Sequence, residues 1–190
     1  MRWRLLPALA GLVLAGSPWS GMAAEAGDHV CPAAGTRVTT SLRSTTTALG
    51  GEGLDCRFQT SQGATFTQHG VVAVIAASSG RNSTEALATG AARLWPLAVG
   101  KEMEVSESYN GQPYAATYRV VGYGDVTVQA GTFAAWQIEV VHMNVPSGLR
   151  LDEQIWWAPS VGVVVKRTAR QVRGNWDFGP DWEVMAVRGK

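Results

Sequence analysis

The alternation of apolar and polar positions divides the chain into short segments that are typical of antiparallel β-structure. In the segment 101–109, acidic residues and serines alternate with apolar residues, which is the two-residue period of a half-buried strand. Asn110-Gly111 follows and favours a two-residue hairpin turn. The segment 114–121 alternates in the same way and is predicted as the return strand.

Further strands are predicted on both sides of this hairpin. Turn signals such as Gly124-Asp125 and Pro159 to Gly162 divide the second half of the chain into strands near 126–128, 133–143, 149–158, 163–172 and 182–187. Upstream, the segments 54–60 and 64–77 are predicted as two strands. The second is continuously apolar over 71–75, which is typical of a strand covered on both faces.

One helix interrupts this pattern. Asn82 and Glu85 have the spacing of a capping box, apolar positions follow on one side, and Trp95-Pro96 ends the segment. The helix is therefore predicted at about 83–94. The predicted fold class is mainly β, a curved antiparallel sheet or half-barrel of about eight to ten strands with one short helix.

The first residues have the pattern of a secretory signal peptide. Arg2 and Arg4 precede an uncharged apolar run over 5–16, and small residues follow. We predict a signal peptide at residues 1–26, with cleavage after Ala24 or Ala26, and one β-rich domain at residues 27–190. The predicted location is periplasmic or secreted.

The length of the apolar runs and the net charge argue against a membrane-spanning helix after the signal peptide and against nucleic-acid binding. No later apolar run approaches the roughly 20 residues that a membrane-spanning helix needs. Cleavage after Ala24 removes 2 of the 16 basic residues, which leaves 14 against 15 acidic residues and a net charge of −1. A nearly neutral chain without a basic stripe is a poor candidate for nucleic-acid binding. The oligomeric state is not predicted.

Two cysteines, Cys31 and Cys56, form an even pair in a chain predicted to be exported. In an oxidising compartment such a pair favours a disulfide over two free thiols. Closing that loop would stabilise the fold by about 3.5 kcal/mol in the chain-entropy model. No Cys-x-x-Cys is present and neither cysteine has a histidine at ligand spacing, so no metal site and no cofactor is predicted.

The sequence predicts no catalytic residues. The three histidines, His29, His69 and His142, are far apart in the sequence and each favours a structural role. Asp152 and Glu153 are adjacent, so on a strand they point to opposite faces and cannot act together on one substrate atom. Glu139 and Glu153 would face each other only in one particular strand register.

Three segments carry a resemblance to a known group of proteins: Leu94-Trp95-Pro96-Leu97, Val126 to Phe133 with Trp136, and Ile155 to Arg167. Together they span about residues 94–167 and resemble a family of uncharacterised bacterial envelope proteins, a domain of unknown function. The resemblance implies a curved antiparallel sheet with an apolar concave side, similar in fold to the half-barrels that carry lipoproteins and lipids in the periplasm. It implies no catalytic residues.

The aromatic residues give the functional hypothesis. Trp95, Trp136, Trp156 and Trp157 are the predicted ligand-binding residues, and core packing is the plain alternative for each of them. Because Trp156 and Trp157 are adjacent, one indole should point to each face of their strand. We expect a binding or carrier module for an apolar ligand such as a lipid, an acyl chain or a hydrophobic peptide. The alternatives are an envelope hydrolase and an envelope-assembly protein that recruits a partner strand.

Overall fold

A computed structural model describes residues 29–75, 84–109, 112–144, 146–175 and 179–189. Its helix and strands are, in chain order, β1 (Arg37–Thr40), β2 (Thr45–Glu52), β3 (Asp55–Thr60), β4 (Thr65–His69), β5 (Val72–Ile75), α1 (Thr84–Leu94), β6 (Glu102–Tyr109), β7 (Gln112–Val128), β8 (Gly131–Asn144), β9 (Leu149–Ala158), β10 (Val163–Arg173) and β11 (Trp182–Arg188).

The strands form one antiparallel sheet in the order β5-β4-β3-β2-β1-β11-β10-β9-β8-β7-β6. The sheet is curved and unclosed, so β5 and β6 are its two edges. Its two halves meet where β11 pairs with β1 on one side and with β10 on the other. The predicted class, a curved antiparallel sheet with one short helix, is confirmed.

Two predicted strand boundaries are wrong. The predicted strand 64–77 is broken at Gly70 and Val71, where a tight turn reverses the chain and pairs His69 with Val72. Gly70 has a φ of +57°, a conformation that costs glycine least. The apolar run over 71–75 therefore starts in a turn and continues into the edge strand β5 instead of forming a central strand.

The second wrong boundary lies in β7. A turn was predicted at Gly124-Asp125, but the chain runs straight through these residues, which pair with Ala135 and Ala134 of β8. A register shift between Val120 and Gly122 replaces the expected turn. An irregularity of this kind bends a strand without ending its pairing, so β7 and β8 form one long bent hairpin.

Strands β6 to β10 have two faces, and both contribute to a core. On the first face, side chains of β6 to β9 pack with α1 and with the residues that follow β4; this cluster contains Val71, Val72, Ala91, Leu94, Leu97, Met103, Val105, Ala116, Tyr118, Val120, Trp136, Ile138, Val140, Ile155 and Trp157. On the second face, the far ends of β7 to β10 pack with β1 to β3 and β11; that cluster contains Val38, Ala48, Cys56, Phe58, Val126, Val128, Ala135, Ala158, Val163, Val165 and Val184.

Helix α1 covers the first face. Gly90 lies so close to β6 that an added Cβ would be 3.2 Å from Cγ1 of Val105. The helix contacts β6 at one edge of the sheet and β4 and β5 at the other. Its end at Leu94 fits the following Trp95-Pro96, because a residue before proline is disfavoured in the helical region.

Several predictions fall outside the described residues: the signal peptide at 1–26, the capping residue Asn82 and the Asn110-Gly111 turn. The strands that flank this turn, β6 and β7, do pair as predicted. Within the described part of the chain, no helix has the length and apolar character that crossing a membrane requires.

Candidate functional site

An aromatic cluster forms where three separate parts of the chain meet. Trp157 comes from β9, Trp95 follows α1, and His29 lies in the segment before β1. The His29 ring stacks on Trp157 with centroids 5.3 Å apart and 15° between the planes. Trp95 meets both rings edge-on, at 4.9 Å from His29 and 5.2 Å from Trp157. We call His29, Trp95 and Trp157 the aromatic cluster.

Two glycines let the chain segments approach this cluster. An added Cβ at Gly70 would lie 2.6 Å from the Trp95 ring. An added Cβ at Gly162, in the turn between β9 and β10, would lie 2.5 Å from the carbonyl oxygen of Val30. Both distances are shorter than real contacts allow, so both positions require glycine for close packing as well as for their positive φ.

The aromatic cluster contains polar atoms that have no partner. Trp157 is 2% exposed, and its indole N–H donates no hydrogen bond to any described residue. His29 Nδ1 lies 2.8 Å from the carbonyl oxygen of Gly53, which can only accept, so Nδ1 carries the proton. The lone-pair nitrogen is then Nε2, which is also buried without a partner. Such orphaned polar atoms are rare in native cores.

Burial also changes the charge state of His29. Desolvation lowers the pKa of His29 below its ordinary value of 6.5, and this effect outweighs the opposing influence of the Gly53 carbonyl and of Asp55. The imidazole in the aromatic cluster is therefore neutral at neutral pH.

The other predicted tryptophans are packed in the two cores. Trp136 is 6% exposed and belongs to the first-face core. The centroids of its ring and of the Tyr123 ring are 4.7 Å apart. Trp156 is half-buried against the second-face core, with the Lys166 ammonium 5.2 Å from its ring centroid. The predicted split of the adjacent indoles between the two faces is confirmed. Of the four predicted tryptophans, the structure brings the rings of Trp95 and Trp157 into contact, and it places Trp136 opposite Trp157 in the pairing of β8 with β9.

A disulfide fixes the segment that carries His29. Cys31 and Cys56 are joined as predicted, which ties this segment to β3. Cys56 is fully buried in the second-face core. A ring nitrogen of His29 and the two sulfur atoms lie within 4.8 Å of one another. The prediction that neither cysteine has a histidine at ligand spacing is therefore wrong, because His29 lies close to both sulfurs.

A charged cluster lies on the same face of β9 as Trp157. It consists of His142, Glu153 and Arg167, whose side chains are 14–15% exposed. The Arg167 guanidinium donates to Glu153 Oε1 and, over 3.3 Å, to the carbonyl of Pro180. His142 Nε2 is 3.7 Å from Glu153 Oε2, an ion-pair distance rather than a hydrogen bond.

The charge state of Glu153 follows from these neighbours. Burial by itself raises the pKa of Glu153, but His142 and Arg167 outweigh it and lower that pKa below its ordinary value of 4.5. Glu153 is therefore an ionised acceptor at neutral pH, and it has no proton to donate as a general acid.

A polar groove of about 410 Å³ lies beside this cluster, mainly on the second face. In it, Arg150 Nε donates to Asp152 Oδ1 over 2.7 Å, and Arg170 lies 3.6 Å from the same carboxylate. Asp152 and Glu153 point to opposite faces, as predicted. Glu139 pairs with Gln154 and not with Glu153, so the two glutamates do not face each other. None of the four predicted tryptophans lines this groove or the two smaller cavities beside the segment 30–34.

The residue that sequence reasoning missed is His29. Its isolated position near the predicted cleavage site favoured a structural role, although its place two residues before Cys31 was a usable signal. His69 has the structural role expected of it: it is 3% exposed, and its Nδ1 lies 2.5 Å from Asp55 Oδ1.

Comparison with known proteins gives little beyond the fold. No family model matches the chain, and no curated protein matches it. Among solved structures, the chain is similar to the hypothetical lipoprotein YmcC from Escherichia coli, with a TM-score of 0.46 and 12% sequence identity over 82% of this chain and 84% of that chain. A likeness of this degree carries no argument about function. The predicted envelope family stays a prediction.

Proposed function

We propose that this protein is an exported binding protein, of carrier type, for an apolar ligand that has an oxygen acceptor, such as an acyl ester. The ligand lies against Trp157 and Trp95 in the aromatic cluster. One observation carries the proposal: the Trp157 indole N–H is buried among apolar groups and has no acceptor among the described residues.

The orphaned N–H defines the chemistry of the ligand. A buried donor without a partner costs about 1–3 kcal/mol, and a ligand oxygen placed against it would recover part of that cost. The rest of the surroundings, Ile155, Val164 and the Trp95 ring, is apolar. Binding pockets for small molecules commonly combine an apolar lining with a few placed polar groups. An acyl chain with an ester carbonyl satisfies both requirements.

His29 occupies the place of the ligand in the free protein. Its ring stacks on Trp157, it is only half-buried, and in its neutral form it leaves one nitrogen unpaired. A planar or apolar ligand group that replaces His29 on Trp157 breaks one hydrogen bond, from Nδ1–H to the carbonyl oxygen of the exposed Gly53. The segment that carries His29 stays attached to β3 through the disulfide while the ring moves aside.

The proposal is tested with two fluorescent probes of equal length, a pyrene-labelled acyl ester and the corresponding pyrene-labelled alkane. The wild-type protein is expected to bind both and to prefer the ester roughly fivefold, the value of one net hydrogen bond of about 1 kcal/mol. In Trp157→Phe, which keeps a ring and removes the N–H, the preference should vanish while the alkane affinity changes little.

Two further variants complete the test. His29→Ala should bind both probes more tightly, because no ring has to be displaced. Trp156→Phe alters the adjacent indole, which packs on the opposite face of β9, and serves as the matched control, with the ester preference kept. If the wild type binds neither probe, the proposed function is wrong. If Trp157→Phe keeps the ester preference, the indole N–H is not the recognition group.

Export is part of the same proposal. The signal-peptide pattern at residues 1–26 and the disulfide between Cys31 and Cys56 both favour a compartment outside the cytoplasm. The intact mass of the protein from a periplasmic extract should correspond to a chain that begins at Glu25 or Gly27. Recovery of the full-length chain from the membrane fraction would contradict this part.

A further inference from the structure

Three side chains with metal-ligand chemistry meet beside the aromatic cluster. A ring nitrogen of His29 and the sulfurs of Cys31 and Cys56 lie within 4.8 Å of one another. In the disulfide form the two sulfurs are bonded to each other. As thiolates, the same sulfurs are strong ligands for zinc and other thiophilic metals.

The protein holds these ligands from two sides. His29 and Cys31 come from the segment before β1, whereas Cys56 comes from β3 and is 1% exposed. Gly51 allows the close approach, because an added Cβ there would lie 2.9 Å from the Cys31 sulfur and 2.0 Å from the carbonyl oxygen of Asp55. The ligands are therefore placed by packing as well as by the disulfide bond.

The hydrogen bonding of His29 matches that of a metal-binding histidine. Its Nδ1–H donates to the carbonyl oxygen of Gly53 at 2.8 Å, and Nε2 is buried with an unused lone pair. Metal-binding histidines commonly donate their second ring N–H to a backbone carbonyl, which fixes the tautomer and the orientation of the ring.

We propose that reduction of the Cys31–Cys56 disulfide converts this corner of the protein into a zinc site with His29, Cys31 and Cys56 as ligands. A dithiol reductant transfers two electrons and two protons to the disulfide, giving two thiols, and is itself oxidised to a disulfide. Zn²⁺ then binds both sulfurs as thiolates, and two protons pass to solvent. With three protein ligands, the fourth tetrahedral position is left for water or a small ligand.

The metal takes over the structural role of the disulfide. In either form the segment that carries His29 is fastened to β3, by a covalent bond in the oxidised protein and by the metal in the reduced protein. This inference does not depend on the proposed ligand, since it concerns the edge of the aromatic cluster and needs no apolar molecule.

The experiment uses the mature protein, reduced with a phosphine and titrated anaerobically with Co²⁺ as a spectroscopic substitute for Zn²⁺. The reduced wild type should bind one equivalent of Co²⁺, with the intense visible bands of a tetrahedral site and a sulfur-to-cobalt charge-transfer band. Zinc should displace the cobalt and remove both signals. The oxidised protein should show neither. A reduced wild type without the charge-transfer band would overturn the proposal.

Variants separate a built site from two free thiols. Cys31→Ser with Cys56→Ser should abolish the charge-transfer band. His29→Ala should weaken Co²⁺ binding about tenfold or more, since even the loss of a second-shell partner has an effect of that size. His142→Ala removes a histidine outside the cluster and should bind Co²⁺ like the wild type. Equal binding by His29→Ala and the wild type would contradict the assignment of the histidine.

Unfolding of the reduced chain is controlled by a second measurement. Zinc should raise the urea midpoint of the reduced wild type, because a metal that binds the folded state stabilises it, and it should leave the oxidised protein unchanged. If zinc binds the reduced chain without raising its midpoint, the thiols bind metal in an unfolded chain and the proposed site does not exist.

Discussion

Trp157 and Glu153 lie four residues apart on the same face of β9, and their surroundings differ in one respect. The carboxylate of Glu153 is half-buried, with Arg167 as a hydrogen-bond donor and His142 Nε2 at 3.7 Å. The indole N–H of Trp157 is buried with no acceptor at all among the described residues. The middle of the strand satisfies a full charge, while its carboxy-terminal end leaves a weaker dipole unpaired.

This difference separates a structural site from the proposed binding site. A buried charge without a partner would cost several kcal/mol, so the protein must pair Glu153 in order to fold. An unpaired indole N–H costs less, so the fold tolerates it. The tolerated defect, and not the satisfied charge, is therefore the place where a ligand gains most from binding.

The largest expected effect concerns the charged cluster around Glu153. Arg167→Met should lower the free energy of unfolding by about 3–5 kcal/mol, because it leaves the buried Glu153 carboxylate without its main donor. Urea unfolding monitored by circular dichroism measures this change. The double variant Glu153→Gln with Arg167→Met should recover a large part of the loss. If the double variant is no more stable than Arg167→Met, the cost comes from lost packing and not from the unpaired charge.

The next effect tests how far the disulfide fixes His29 in the aromatic cluster. Cys31→Ala with Cys56→Ala should lower the free energy of unfolding by about 3.5 kcal/mol, the chain-entropy value for a loop of 25 residues. Tryptophan fluorescence should change as well, because the ring of His29 loses its anchor on Trp157. A variant that loses stability but keeps the wild-type emission spectrum would show that packing alone holds His29.

A smaller effect compares two indoles. Trp157→Phe removes atoms from a packed core but also removes the orphaned N–H, whose burial costs about 1–3 kcal/mol. It should therefore destabilise the free protein less than Trp136→Phe, which removes the same atoms from the same core. Parallel urea titrations of the two variants give the difference. The reverse order would mean that the Trp157 N–H is satisfied in solution.

The smallest expected effect is in the pH dependence of stability, which distinguishes His29 in the aromatic cluster from Glu153 in the charged cluster. The folded-state pKa of His29 is lowered, so unfolding takes up a proton and stability falls as the pH drops below about 6.5 towards that pKa. The folded-state pKa of Glu153 is also lowered, so its contribution is present above about 4.5 and is lost as the pH falls below that value.

Two variants assign these pH ranges. His29→Phe should remove the dependence in the upper range and keep a ring on Trp157. Glu153→Gln should remove the dependence in the lower range. Denaturation midpoints measured between pH 7 and pH 3 make the comparison, and a variant whose profile matches the wild type in its own range would contradict the corresponding assignment.

The fold class and the opposite faces of Trp156 and Trp157 could be predicted from the sequence, because both depend on local periodicity. Alternation placed Trp156 and Trp157 on opposite faces. The capping-box spacing before the helix and the proline after it placed α1 close to residues 84–94. The long strand β7 could not be predicted, since Gly124-Asp125 reads as a turn and only pairing with β8 keeps the chain extended there. Tertiary contacts decided between two locally acceptable structures.

The aromatic cluster could be predicted only in part. Trp95 and Trp157 were expected to bind a ligand, but their meeting depends on the register of β9 and on the path of the chain after α1. His29 could not be placed, because its contacts with Trp157 and Gly53 come from a loop whose course is fixed by the disulfide. Long-range geometry of this kind leaves no periodic signal in the sequence.

The pairing of β1 with β11 has a consequence for the order of assembly. A chain made from its amino terminus completes β1 to β5, including both cysteines, long before the strand that joins them to the rest of the sheet. Among the described residues, two pairs, Lys166 with Glu183 and Arg167 with Trp182, then register β11 against β10. The last strand of the chain therefore joins the two halves of the sheet: a truncated product that lacks it would hold two half-sheets with no strand pairing between them, each with a newly exposed edge.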